Sequence, residues 1–77
     1  MKNERKALGK VLRKIRKLSG FTQETLAFES EVDRSFISLI ELGESSPTFD
    51  TLCALCKALD INFSCLAAKL DEEMLQE

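Results

Sequence analysis

Apolar residues recur along this chain at intervals of three and four residues, the spacing of an α-helix with one buried face. The clearest stripe near the start of the chain comprises Leu8, Val11, Leu12, Ile15 and Leu18. A second stripe, in the last third of the chain, comprises Leu52, Leu55, Cys56 and Leu59. Strict alternation bounded by turn dipeptides, which would indicate strands, does not occur. The pattern therefore predicts an all-α fold.

Capping residues divide this pattern into five helices. Side chains that accept a hydrogen bond from a free N–H group of the first turn favour helix starts. The residues suited to begin helices two to five are Thr22, Asp33, Thr48 and Asn62. Gly20 and Gly43 lie where glycine commonly ends a helix. The second helix should run to about Glu29 and the third to about Leu42.

The segment 22–42 is the most informative, because it holds two short helices separated by a break at residues 30–32. The small side chain of Ala27 lets the two helices cross closely, and Ile37 and Ile40 anchor the second helix in the core. The side chains then left pointing outward are Arg34, Ser35, Ser38 and Leu39. Such an exposed short helix fits the major groove of DNA. The same spacing also fits an ordinary helical hairpin in a small bundle.

The chain has 77 residues, which is room for a single domain over residues 1–77 that is only marginally stable alone. Its formal net charge of −2 hides an uneven distribution. Residues 1–20 carry eight cations and one anion, whereas residues 21–77 carry three cations and twelve anions. A basic end of this kind can attract phosphates. A solvated helix face accounts for the same charges.

The composition argues against catalysis and against a metal site. The chain contains no histidine, the usual general base and a common metal ligand, so we assign no catalytic residue and no cofactor. Cys53 and Cys56 have the spacing of a zinc motif, and Cys65 follows nine residues later. A structural zinc site needs a fourth ligand, whereas cysteines inside a helix serve as small apolar core residues. We therefore expect free thiols and no metal.

The sequence also carries no signal for membrane insertion or export. No apolar run is long enough to cross a bilayer. The charged N-terminus is not followed by the apolar segment of a secretory signal. We therefore expect a cytoplasmic protein with no membrane partner.

Six segments follow a known pattern in the same order, and no insertion or deletion separates them from that pattern. They are residues 12–16, 22–27, 32–38, 40–43, 47–52 and 57–61. Together they make residues 8–66 resemble the Cro/CI-type helix-turn-helix family, also called XRE-like. The resemblance implies a compact five-helix, phage-repressor-like DNA-binding domain that binds its operator as a two-fold dimer. Short stand-alone regulators are the most similar members. Residues 32–38 look particularly like the controller proteins of restriction–modification systems.

The resemblance also implies the residues that touch DNA. They are Gln23, Arg34, Ser35, Ser38, Leu39, Ser45 and Ser46. Gln23, at the start of the second helix, would bond a backbone phosphate, as would the two loop serines. Arg34 and Ser35 would read base edges, with Arg34 reaching a guanine through two hydrogen bonds. Leu39 would pack on a thymine methyl group.

Two further sets of residues follow from the same resemblance. Arg16 and Glu41 match a pair that joins helix one to the end of the recognition helix, so we expect their role to be structural. Stand-alone members commonly pair through their last helices. The candidates for such an isologous dimer surface are Phe63, Cys65, Leu66 and Leu70.

The chain departs from the family pattern at several positions. Glu31 stands where glycine is frequent and the backbone is left-handed, at a cost on the order of 1 kcal/mol. Leu39 and Leu42 stand where polar or basic residues are common, and residues 21–46 carry six anions against Arg34 alone. We expect a homodimeric transcriptional regulator whose partners are operator DNA, a second copy and RNA polymerase. The alternative that these departures motivate is an antitoxin or a protein-interaction module on the same fold.

Overall fold

The computed structural model describes residues 3–76, and within this range the chain forms five α-helices and no strand. They are α1 (Glu4–Leu18), α2 (Gln23–Ser30), α3 (Arg34–Glu41), α4 (Phe49–Ala58) and α5 (Phe63–Leu75). The all-α prediction is therefore confirmed. Lys2 and Glu77, which the charge count above includes, lie outside the described residues.

The predicted capping residues begin their helices as expected. In each of these four helices, a backbone N–H group of the first turn donates a hydrogen bond of 2.8–3.2 Å to the side chain of the capping residue. The capping residues are Thr22, Asp33, Thr48 and Asn62. Gly20 and Gly43 adopt φ angles of 79° and 78° after α1 and α3, a left-handed backbone that glycine tolerates. α2 ends at Ser30 and α3 at Glu41, each one residue from the predicted end.

The core lies where the helices meet. Its buried members are Val11, Leu12, Ile15, Leu26, Ile37, Ile40, Leu55, Cys56, Leu59 and Leu66. Leu8 and Leu52 complete the two predicted stripes and pack against this cluster with partial exposure. Leu18 was expected in the first stripe but is 85% exposed. It lies at the rim of an open groove between α1 and α5, where no helix covers it.

Leu66 corrects a prediction made for α5. It was expected on the dimer surface, but it is only 1% exposed and belongs to the core. Neighbouring residues of a helix lie about 100° apart around its axis, so one of them can be covered more fully than the other. Leu66 takes the core position and Cys65 is half-buried beside it. The assignment of Leu66 to a dimer contact is therefore wrong.

α1 and α3 cross at close range because Gly9 has no side chain. A Cβ atom placed on Gly9 would lie 2.5 Å from the carbonyl oxygen of Ile40 and 2.6 Å from that of Glu41. Both atoms belong to the backbone and cannot rotate away. Any larger residue at this position would therefore push α1 off the C-terminal end of α3.

The break between α2 and α3 is a tight, internally bonded turn. Glu31 ends α2 with a φ angle of 59°, which confirms the left-handed backbone expected there. The hydroxyl group of Ser30 donates to the carbonyl oxygen of Leu26 at 2.6 Å and accepts the N–H group of Val32 at 3.3 Å. These bonds fix the turn although Glu31 lacks the conformational freedom of glycine.

The three cysteines are free thiols in different surroundings. Cys56 is buried, Cys65 is half-buried and Cys53 is exposed. Burial raises the pKa of the Cys56 thiol. Within residues 3–76, no three His, Cys, Asp or Glu side chains are grouped so that they could hold a metal ion.

No single helix in the described part of the chain is long and apolar enough to cross a membrane. α4 and α5 reach that length and composition only as a pair, and the chain bends by 104° between them. The buried residues of these two helices are Leu55, Cys56 and Leu66, which all belong to the core.

Gly9→Ala should destabilise the fold, because its methyl group would meet backbone atoms of α3. We expect the free energy of unfolding to fall by about 1–3 kcal/mol, although alanine has the higher helix propensity. Urea denaturation followed by circular dichroism measures the change. Gly20→Ala is the control, since its added Cβ meets nothing within 4 Å and only the backbone is strained. Unchanged or increased stability of Gly9→Ala would contradict the close crossing.

Glu31→Gly should stabilise the fold by about 0.5–1 kcal/mol, because glycine adopts the left-handed conformation without a steric penalty. Glu29→Gly removes the same charge from the last turn of α2, where the backbone is helical, and should instead cost up to about 1 kcal/mol. Urea unfolding of both variants, measured against the parent chain, tests the pair. A loss of stability in Glu31→Gly would mean that strain at this turn is not the governing effect.

Candidate nucleic-acid interface

One face of α3 packs in the core, and the opposite face is exposed to solvent. Ile37 and Ile40, three residues apart, are both buried. The residues left exposed on the outer side are Arg34, Ser35 and Leu39. Ser38 is half-buried at the side of the helix. The structure thus places the four predicted α3 contacts along one accessible side, with Ser38 at its edge.

A buried ion pair fixes the C-terminal end of α3 to α1. Arg16 donates from Nε to Oε2 of Glu41 at 2.7 Å and from Nη2 to Oε1 at 3.0 Å. Its Nη1 donates to the carbonyl oxygen of Phe21 at 2.8 Å. The Arg16 and Glu41 side chains are only 9% and 5% exposed. Hydrogen bonding to Glu41 raises the pKa of Arg16 above its ordinary value, although burial opposes this.

Gln23 extends this network from the ion pair towards the start of α3. Its Nε2 donates to Oε1 of Glu41 at 3.0 Å, and its Oε1 accepts from Nη1 of Arg34 at 3.4 Å. Gln23 is the first residue of α2, where the free N–H groups of a helix favour an anion. An amide nitrogen carries two N–H groups, so Nε2 keeps one for a further acceptor.

Arg34 is the most accessible member of this network. Besides its contact with Gln23, its Nε lies 3.9 Å from Oε2 of Glu24. Both side chains are largely exposed, and an ion pair of this kind contributes little in water. The guanidinium group of Arg34 can therefore exchange these partners for others.

An open depression lies between α1 and the side of α3. It is lined by Arg13, Arg16, Gln23, Ser38, Glu41 and Leu42. Arg13 is exposed on α1 and was missed in the sequence analysis. The sequence could have indicated this position, because Arg13 lies three residues before Arg16 and therefore shares its helix face.

The loop after α3 folds back onto the last turn of that helix. The N–H groups of Glu44 and Ser45 both donate to the carbonyl oxygen of Leu39, at 2.9 and 3.3 Å. Ser45 is half-buried and Ser46 is exposed. The structure therefore places the two predicted loop contacts at the C-terminal end of α3.

One candidate dimer residue on α5, Phe63, forms an aromatic contact with α4 that the sequence pattern did not indicate. The rings of Phe49 and Phe63 pack edge to face, with centroids 5.6 Å apart and planes at 66°. They remain 67% and 45% exposed. Cys53, also exposed, lines a pocket together with Phe63. We call Phe49, Cys53 and Phe63 the aromatic surface; the predicted residues Cys65 and Leu70 are half-buried.

Comparison with known sequences identifies the fold family. Residues 12–64 match the helix-turn-helix family. A relative from Sinorhizobium fredii (strain NBRC 101917 / NGR234) is named "uncharacterized HTH-type transcriptional regulator y4dJ". The two chains are 32% identical over 68 residues, which is 88% of each.

Solved structures give the same result. The wild-type restriction-modification controller protein C.Esp1396I superposes with a TM-score of 0.91 at 31% identity, over 100% of both chains. The C.Esp1396I tetramer in complex with its natural 35 base-pair operator gives 0.89 at 32% identity, over 97% of this chain and 99% of that one. The clp gene regulator ClgR from C. glutamicum gives 0.86 at 30% identity, over 92% and 91%. These matches confirm the resemblance found in the sequence, and the chain belongs to the helix-turn-helix family.

Proposed function

We propose that this chain is a transcriptional regulator that binds a specific double-stranded operator as a homodimer, as a restriction–modification controller protein. The outer face of α3 carries the proposal: Arg34, Ser35 and Leu39 are exposed there. Ile37 and Ile40 hold the opposite face in the core. A helix presented in this way fits the major groove. The names of its relatives, a transcriptional regulator and an operator-bound controller protein, support the same function.

The side chains of α3 supply complementary chemistry for base recognition. Arg34 carries a guanidinium fork that can donate two hydrogen bonds to one guanine edge. Its contacts with Gln23 and Glu24, at 3.4 and 3.9 Å, are long enough to be given up. Ser35 can donate or accept a hydrogen bond, and Leu39 offers an apolar contact to a thymine methyl group. This combination favours recognition of particular bases over uniform binding.

Residues on either side of α3 would fix the helix in the groove. Gln23 lies at the start of α2, and the N–H of its Nε2 that is not used by Glu41 suits a backbone phosphate. Ser45 and Ser46, with Ser38 at the helix edge, suit phosphates at the other end. Such contacts set the register of the protein on the duplex without reading its sequence.

Two features support a homodimer. A chain of 77 residues has a small core and gains stability when it covers further apolar area with a second copy. The aromatic surface supplies such an area, and Cys65 and Leu70 are the remaining candidates beside it. A two-fold dimer would place its two α3 helices about 34–36 Å apart, in successive major grooves. The operator should therefore be an inverted repeat.

In this role the protein acts in the cytoplasm, on DNA beside a promoter. A bound dimer either occludes RNA polymerase or contacts it. We assign the whole function to one domain over residues 1–77, with no catalytic step, cofactor, metal or membrane.

A second candidate function is favoured by the apolar side chains beside α3. Leu39 and Leu42 are 38% and 59% exposed. The exposed acidic residues Glu31, Asp33 and Glu44 lie at the two ends of the helix and would repel phosphates. An apolar patch with acidic neighbours suits a protein partner, as in an antitoxin or an interaction module.

Selection from a pool of random duplex DNA should recover an inverted repeat bound by the folded protein. Arg34→Ala should abolish the preference at one position of each half-site, because a bidentate guanine contact contributes about 1–3 kcal/mol of discrimination. The selection and a titration of the recovered operator measure both effects.

Arg34→Lys is the matched control for this selection. It keeps the charge but loses the planar fork, so binding to any duplex should persist while the base preference relaxes. If the folded parent protein enriches no sequence, operator recognition is contradicted. The surface formed by Leu39 and Leu42 then becomes the site to pursue with protein partners.

Phe63→Asp should convert the dimer to a monomer, because a charge in the aromatic surface opposes burial against a second copy. Sedimentation equilibrium measures the change, and circular dichroism verifies that the variant is folded. Phe28→Asp is the matched control, since Phe28 is 81% exposed on α2 and lies outside the aromatic surface. A folded Phe63→Asp variant that remains dimeric would place the interface elsewhere.

A further inference from the structure

One face of α1 lies against α3 and carries four residues at helical spacing. They are Lys6, Gly9, Arg13 and Arg16. Residues separated by three, seven and ten positions share one side of a helix. Gly9 and Arg16 are buried, and Lys6 and Arg13 are exposed. We call these four residues the α1 stripe.

The two buried members fix the α1 stripe against the C-terminal end of α3. A Cβ on Gly9 would meet the carbonyl oxygens of Ile40 and Glu41. Arg16 holds Glu41 through two hydrogen bonds, at 2.7 and 3.0 Å. The backbone of Lys6 and of Arg13 is therefore held at a fixed position beside α3, while their side chains stay exposed.

The two exposed members flank the DNA-facing residues at this end of α3. A Cβ on Gly43 would lie 2.6 Å from Cγ of Lys6, so the stem of Lys6 packs on the loop that carries Ser45 and Ser46. Arg13 lines the depression whose other walls include Ser38 and Leu42 on the side of α3. Lys6 and Arg13 are seven residues apart, which is about 10 Å along the helix.

Ion pairing distinguishes Lys6 and Arg13 from Lys10, Lys14 and Arg16. Lys10 and Lys14 each lie 3.7 Å from the carboxylate of Glu73 on α5. Within residues 3–76, Lys6 and Arg13 form no ion pair. Arg5 and Lys17 are also unpaired within this range, but they lie outside the α1 stripe. The carboxylate of Glu41, which lines the same depression as Arg13, is already bonded to Arg16. Two cations beside the recognition helix are thus uncompensated.

We propose that Lys6 and Arg13 each bind a backbone phosphate of the duplex, on the two sides of the C-terminal end of α3. The proposal rests on the proposed DNA-binding function and adds two contacts to it. At about 10 Å apart the two side chains reach different phosphates, and their flexible stems accommodate the groove edge. These contacts strengthen binding to every sequence and anchor α3 without reading bases.

Salt dependence tests this assignment directly. Arg13→Gln and Lys6→Gln should each weaken operator binding about 3–10-fold and reduce the slope of log affinity against log salt by about one. The same factor should appear on a scrambled duplex, because a phosphate contact carries no sequence information. Arg13→Lys should restore the slope.

Lys10→Gln and Lys14→Gln are the matched controls, since they remove equal charges from the same helix on the side facing Glu73. Their salt slopes should stay close to that of the parent protein. A slope for Arg13→Gln and Lys6→Gln equal to that of the controls would overturn the proposal. So would a lowered melting temperature with an unchanged slope, because cations near a helix C-terminus also stabilise that helix. Failure of the parent protein to bind any duplex would instead overturn the proposed function itself.

Discussion

The buried ion pair between Arg16 and Glu41 determines where α3 sits against α1. Its two side chains are almost fully covered, and Arg16 also bonds the carbonyl oxygen of Phe21. A buried charge that loses its partner costs about 3–5 kcal/mol, so the pair tolerates no rearrangement of α1 relative to α3. Gly9 acts with it, because only a residue without a side chain lets the two helices approach to backbone contact. The position of α3 is thereby set at its C-terminal end.

The hydrogen-bond network then connects this fixed end to the exposed end of α3. Glu41 accepts from Gln23, and Gln23 accepts from Arg34. Gln23, which suits a phosphate, thus lies directly between the ion pair and Arg34, which suits a base edge. Side chains arranged in advance lose less conformational freedom on binding, which raises affinity without adding contacts. The exposed end remains adaptable, since Arg34 and Glu24 are both largely in solvent.

Much of the fold was predictable because its signals act locally. A cap such as Thr22 bonds within one turn of its own helix, and the outward residues of α3 follow from its core positions by helical periodicity. The choice between Cys65 and Leu66 for the core was not predictable, because packing against distant helices decides which face of α5 is covered. Phe49 was missed for the same reason, because its partner Phe63 lies on the next helix. Arg13, in contrast, shares a helix face with Arg16 and could have been found from that spacing. The roles of the α3 residues on DNA came from family resemblance, and they stay predictions.

The most direct test of this account is a nuclear magnetic resonance titration of isotope-labelled protein with the operator recovered by selection. The largest changes in backbone amide shifts should fall on Gln23, on residues 34–39 and on the loop 43–46. The side-chain signal of Arg34 should also change as its guanidinium group leaves Glu24. Largest changes on α4 or α5, with α3 unaffected, would contradict the claim that α3 is the surface that reads DNA.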